Sequence, residues 1–148
     1  MIELLFFVLC VFLLVRHRLY WKNSNDSVFG DEEINFMAHR GHPSEAPENT
    51  IDSFKEAGTK GFRWLELDLV TTKDGVIVCS HNYDLERETN GKGWVKDIDC
   101  SKLDYVRTGI YTHPDNTKLL PRLKTVVKKL PDSLCYNFEI KTFRVFDF

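Results

Sequence analysis

Hydrophobic and polar positions fall into three regimes along the chain. From Leu4 to Val15 (LLFFVLCVFLLV) every residue is apolar, and Asn23 to Glu33 is largely polar. From Ile34 onward, apolar residues recur with the periods of strands and helices. The first regime reads as a hydrophobic N-terminal helix over 1–22, the second as a linker over 23–33, and the third as a folded domain over 34–148.

Within the third regime, Ile34 to Ala38 suits a short buried strand that Arg40-Gly41 breaks. Pro43 and Pro47 hold a loop. Asn49 or Thr50 can cap a helix over 51–59, whose Ile51, Phe54 and Ala57 share a face, and Gly61 ends it. Phe62 to Val70 predicts a second strand, with Leu65, Leu67 and Leu69 on one face and Trp64, Glu66 and Asp68 on the other. Thr72-Lys73-Asp74-Gly75 is a hairpin-type turn, and a third strand, Val76 to Ser80, delivers His81. Residues 82–99 read as a loop, Ser101 as the cap of a short helix to about Thr108, and 112–118 as a polar excursion. Pro121 suits the first turn of a helix to Leu130, with Leu123, Val126, Val127 and Leu130 as its buried stripe. Ser133 to Lys141 is a last strand, with Phe138 and Ile140 on one face and Asn137, Glu139 and Lys141 on the other.

This order argues an α/β fold with a mostly parallel sheet and right-handed crossovers. Functional side chains then gather at the C-terminal ends of strands. His39, Glu66, Asp68, His81 and Glu139 all fall near such ends.

Composition narrows the picture. The 148 residues are 43% hydrophobic and 28% charged, as in a soluble globular protein, and suffice for one domain with a real core. A formal net charge of −2 and the lack of a basic stripe exclude nucleic acid as an expected partner. Cys10, Cys79, Cys100 and Cys135 form no CxxC pair and read as free thiols in a reducing compartment.

The N-terminal run needs its own reading. Its uncharged stretch, Leu4 to Val15, spans about 18 Å as a helix against a hydrocarbon core of roughly 30 Å. Spanning length is approached only if Glu3 and Arg16 sit at opposite interfaces. A secretory signal is disfavoured, because Glu3 replaces a basic n-region and no small-x-small site follows. Tyr20-Trp21 beside Arg16, Arg18 and Lys22 resembles an interfacial belt. The expectation is a single membrane anchor, with the globular part on the cytoplasmic side.

Glu66 and Asp68, spaced i, i+2 on one strand face, offer hard oxygen ligands to one cation, and Glu139 adds a third acid in the same phase. Two adjacent carboxylates repel, so Mg²⁺ or Ca²⁺ is the natural third party. With no thiol expected nearby, zinc is disfavoured. His39 and His81, at two different strand ends, suit a general acid/base pair. Arg40 and Lys141 suit phosphate oxygens, the first as a bidentate fork and the second as a point charge.

These residues carry a resemblance. HRG…PENT at 39–50, ELD at 66–68, T.DG at 72–75, H…DL.R.T.G.G at 81–93, PRL at 121–123 and NFEIK at 137–141 resemble the glycerophosphodiester phosphodiesterase family. The resemblance covers about residues 34 to 141. It implies a TIM-barrel (β/α)₈ phosphodiesterase that cleaves glycerophosphodiesters to glycerol 3-phosphate and an alcohol. By motif position, His39 and His81 would be the acid/base pair, Glu66, Asp68 and Glu139 would bind the divalent cation, and Arg40 and Lys141 would hold the phosphate. The hydrophobic N-terminus makes a lysophospholipid substrate plausible by the same resemblance.

Two features depart from the family pattern. His81-Asn82 stands where the family usually has His-Asp. A barrel also needs ~250 residues, so this chain is expected to carry about its first half, as a fragment or truncated isoform. The rival expectations are a catalytically silent product with a binding role only, and a phosphoinositide phospholipase C-like enzyme on the same barrel. The HRG…PENT and ExD spacing speaks against the latter.

Overall fold

The computed structural model describes residues 2–20 and 34–142. The linker expected over 23–33, and Trp21 and Lys22 of the expected interfacial belt, lie outside the described residues. The chain divides into two compact units, Met1–Ile34 and Asn35–Phe148.

In the first unit, helix α1 runs Ile2–Tyr20. Its apolar side chains are exposed all around, Leu4 at 68% and Phe12 at 60% among them. Among the described residues no helix is long and apolar enough to cross a membrane. Any 18-residue stretch of α1 contains Glu3, Arg16 and Arg18, so the uncharged run is too short to span the hydrocarbon core.

The second unit is built on a four-stranded sheet. Strand β1 (Met37–Ala38) leads through a loop to α2 (Ile51–Thr59), then to β2 (Trp64–Thr71) and β3 (Ile77–Cys79). A two-stranded hairpin of β4 (Arg107–Thr108) and β5 (Lys118–Leu119) precedes α3 (Leu123–Lys129) and β6 (Cys135–Ile140). Both β1 and β6 pair with β2 in parallel, while β3 pairs with it antiparallel across the Asp74-Gly75 turn. The mostly parallel expectation therefore holds for β1, β2 and β6 and fails for β3. A hairpin turn can only return the chain antiparallel.

Thr50, rather than Asn49, caps α2: its Oγ1 accepts from Ser53 N at 3.3 Å, completing a reciprocal capping box with Ser53. Phe54 and Ala57 of α2, Val126 of α3 and Leu130 just after it pack with Leu65, Leu67, Leu69 and Cys79 in one core. Val127, expected in that stripe, is 44% exposed. The helix expected over 101–108 is instead a 3₁₀ turn, Cys100–Leu103, followed by β4. Leu85, Val95, Cys100, Leu103, Val106 and Leu120 build a second core there with Val70 and Val78. The long 82–120 excursion is thereby a packed layer, not a loose loop. All four cysteines are free thiols.

Candidate functional site

Register brings the acids together. Parallel pairing sets Asp68 beside Glu139 and Glu66 beside Asn137. One carboxylate oxygen from each of Glu66, Asp68 and Glu139 lies within 4.8 Å of the others. Asp68 is wholly buried, Glu66 nearly so, and the Glu139 side chain is half exposed.

The loop after β1 closes over them through two strained residues. Arg40 and Asn49 both hold a positive φ, 56° and 55°, in the left-handed region that costs non-glycine residues about 1–2 kcal/mol. The strain aims both at the acids. The Arg40 backbone N–H donates to Glu66 Oε2 at 3.0 Å, its Nε lies 2.8 Å from Asp68 Oδ2, and its Nη1 donates to Glu48 Oε1 at 2.9 Å. Asn49 Nδ2 donates to Asp68 Oδ2 at 2.9 Å, while Asn49 Oδ1 accepts from Asp68 N at 3.1 Å. Gly41 lets this loop lie on α2, since a Cβ there would come within 2.6 Å of Ser53 Oγ and 2.8 Å of its backbone carbon.

Lys141, just past β6, reaches back with Nζ 2.9 Å from Asp68 Oδ1 and also contacts Glu139. Both predicted phosphate-binding cations therefore rest on Asp68. His39 Nε2 lies 3.9 Å from Glu66 Oε2 on a side chain 69% exposed. His81 lines a cleft of about 640 Å³ together with Arg40, Glu48, Asn82, Glu88 and Tyr111. All seven residues expected from the sequence thus gather around β2 or the cleft beside it.

The two strand carboxylates titrate in opposite directions. Burial pushes Glu66 above the ordinary carboxylate range; the Arg40 N–H opposes this, and the negative charge of Asp68 adds to it. Burial would raise Asp68 too, but hydrogen bonds from Lys141 and Asn49 and the charge of Arg40 hold it below its ordinary value. Glu66 Oε1 is buried with no hydrogen-bond partner. A buried, unpartnered carboxylate oxygen facing two more carboxylates fits a hard divalent cation. Cys79 sits opposite Leu69 and packs in the core on the face away from the acids, though the charge of Asp68 acts on its thiol. Burial, chiefly, pushes that thiol up to about 12.

Glu48 and Asn49 were missed as site residues, although both lie in the PENT motif. Their signal is that motif, which the sequence offers as part of the family resemblance and as a helix cap but not as a site. Asn49→Ala removes two hydrogen bonds to Asp68 and forces alanine into a positive φ. It is expected to cost about 3 kcal/mol by urea unfolding; a loss under 1 kcal/mol would mean Asn49 does not hold Asp68.

Residues 39–144 match the glycerophosphoryl diester phosphodiesterase family. The chain belongs to that family. It is similar to a glycerophosphodiester phosphodiesterase of Bacillus subtilis, at 34% identity over 80% of this chain and 44% of the relative. It is also similar to glycerophosphodiester phosphodiesterase 1 of Bos taurus, at 37% identity over 74% of this chain and 33% of the relative. Among solved structures, a glycerophosphodiester phosphodiesterase from Agrobacterium tumefaciens superposes with a TM-score of 0.68 at 30% identity, covering 74% of this chain and 48% of that one. A phosphodiesterase from Oleispira antarctica, solved with the product sn-glycerol-3-phosphate, gives 0.65 at 29% identity, over 73% and 44%. The family's TIM-barrel fold is the one of which residues 34–142 form a part. The chain spans less than half the length of the curated relatives it matches.

Proposed function

We propose that this glycerophosphoryl diester phosphodiesterase domain hydrolyses glycerophosphodiesters, lysophospholipids among them, to a glycerol phosphate and an alcohol with a divalent cation, Mg²⁺ or Ca²⁺. The observation that carries the reading is the buried, unpartnered Glu66 Oε1 facing Asp68 and Glu139, beside two cations and a histidine. Glu66, Asp68 and Glu139 would hold the cation, whose positive charge would stabilise the negative charge on the phosphoryl oxygens. Arg40 and Lys141, already held beside the acids, bind the remaining phosphate oxygens. One histidine takes the proton of the attacking oxygen and the other gives a proton to the departing alcohol oxygen. The attacking oxygen is a substrate hydroxyl, giving a cyclic phosphate, or water. The exposed apolar side chains of Leu4–Val15 support contact with a lipid surface.

A second reading, a binding role without turnover, is favoured by β6. Among the described residues this strand pairs only with β2, and its Phe138 and Ile140 stand 42% and 71% exposed. Assaying the chain on glycerophosphocholine and a lysophospholipid with Mg²⁺ or Ca²⁺ decides between the two. Turnover that falls at least about 100-fold in His39→Ala supports hydrolysis. Equal turnover by that variant removes His39 from the mechanism, and cooperative unfolding without any turnover favours the binding role.

A further inference from the structure

The hydrolytic reading leaves one group in the cleft without a task, the carboxylate of Glu88. It lies with a carboxylate oxygen of Glu48 and a ring nitrogen of His81, all three atoms within 4.8 Å of one another. Its position is built rather than incidental. Leu85 and Thr89 on either side are buried. The Glu88 carbonyl accepts from Gly109 N at 2.9 Å, and Thr89 bridges to Thr108 of β4. The far side of the pair is fixed too: Ser80 is buried, its N–H donates to the Asp68 carbonyl at 3.1 Å, and its Oγ donates to the Asn82 carbonyl at 2.9 Å. Two anchored backbones thus hold His81 and Glu88 face to face.

Charge arrangement decides what the pair does. Glu48 already accepts from the Arg40 guanidinium at 2.9 Å, which disfavours a second cation among these three groups. Arg87, the neighbouring cation, pairs with Asp84 at 3.1 Å and does not claim Glu88. The Glu88 carboxylate thus faces Glu48, His81, the Asn82 side chain, which donates a hydrogen bond to it, and the charge of Arg40. Position 82, where the sequence carries an amide directly after the histidine, brings no negative charge of its own.

We infer that Glu88 is the positioning residue of His81, its carboxylate fixing the tautomer and direction of the imidazole and stabilising it when protonated. The carboxylate that position 82 lacks is thereby supplied from the next turn of the same loop. Glu88 touches no reacting atom; its effect passes through His81. The inference rests on His81 acting as acid or base in the proposed hydrolysis.

The test uses the full chain with glycerophosphocholine and Mg²⁺, comparing Glu88→Gln, Glu88→Asp and His81→Ala with the parent, beside ¹⁵N NMR of the His81 ring. In Glu88→Gln, kcat is expected to fall about 10- to 100-fold with KM within about 2-fold. Glu88→Asp recovers most of that loss, and the His81 nitrogen shifts move toward a mixture of tautomers only in Glu88→Gln. An unfolding midpoint close to that of the parent separates this from misfolding. Unchanged kcat and unchanged His81 nitrogens in Glu88→Gln overturn the inference while leaving the hydrolytic reading intact. Full turnover by His81→Ala overturns the acid/base reading beneath it. Loss of a second equivalent of bound Mg²⁺ in Glu88→Gln, measured by calorimetry, assigns the cluster to a metal and overturns the inference as well.

Discussion

Replacing Asp68 by Asn is expected to destabilise the fold by about 3–5 kcal/mol, the usual consequence of removing one partner from a buried ion pair. Asp68 is wholly buried and meets Arg40 Nε at 2.8 Å, Lys141 Nζ at 2.9 Å and Asn49 Nδ2 at 2.9 Å. An amide there would leave two mostly buried cationic side chains without the carboxylate they share, with only Glu48 for Arg40 and the half-exposed Glu139 for Lys141 remaining. The pH dependence follows from the same contacts. Burial acts to raise the Asp68 carboxyl, but Lys141, Asn49 and Arg40 together hold it below its ordinary value of 3.8. A carboxyl depressed in the fold contributes stability that is fully present above its unfolded value. That contribution is lost as pH falls through the lower folded value. Urea unfolding from neutral pH down to about pH 2 should therefore show the parent losing stability below roughly pH 4, and the Asn variant following a flatter course. A variant within about 1 kcal/mol of the parent at neutral pH would mean that Arg40 and Lys141 find other partners easily.

Glu66→Gln should act with the opposite sign. Burial, ahead of the charge of Asp68, raises the Glu66 carboxyl despite the Arg40 N–H. A carboxyl raised in the fold contributes stability below its unfolded value and loses it as pH rises through the folded value. At neutral pH, above the unfolded value and with no divalent cation added, the carboxyl of Glu66 therefore works against the fold. Its amide should be as stable as the parent or more so, by up to about 1 kcal/mol. Thermal unfolding in a chelating buffer reads this directly. A clearly less stable Gln variant there would mean that the Glu66 carboxylate is held by contacts stronger than the single Arg40 N–H.

The sequence made the site's membership legible and its wiring much less so. Period-two alternation in Phe62–Val70 placed Glu66 and Asp68 on one face, and the same reasoning phased Glu139. Parallel pairing of β2 with β6 then set Asp68 against Glu139. What alternation cannot carry is a side chain aimed by an unusual backbone. Asn49 looked like a helix cap because Asn caps helices well. In the fold Thr50 takes the cap, and the positive φ of Asn49 turns its amide onto Asp68. The positive φ of Arg40 likewise brings it against three carboxylates, contacts that strand alternation does not foretell. Local propensity misled between Cys100 and Leu120. Helical spacing was too short to outcompete packing on Val70 and Val78, and the segment folded as 3₁₀ turns and a hairpin. Phe138 and Ile140 read correctly as one face of a strand, though no described element covers them.

The account stands most directly on whether Glu66, Asp68 and Glu139 form one divalent-cation site. Calorimetric titration of Mg²⁺ and of Ca²⁺ into the chain and into Glu66→Gln measures that without any substrate. The parent is expected to bind one equivalent of at least one of the two cations. At a hundred times the dissociation constant, that cation should raise the parent's stability by about 2.7 kcal/mol. Glu66→Gln should show neither the binding heat nor the stabilisation. Equal binding by parent and variant would place the cation elsewhere, and no binding by either would leave these three acids without the partner proposed for them.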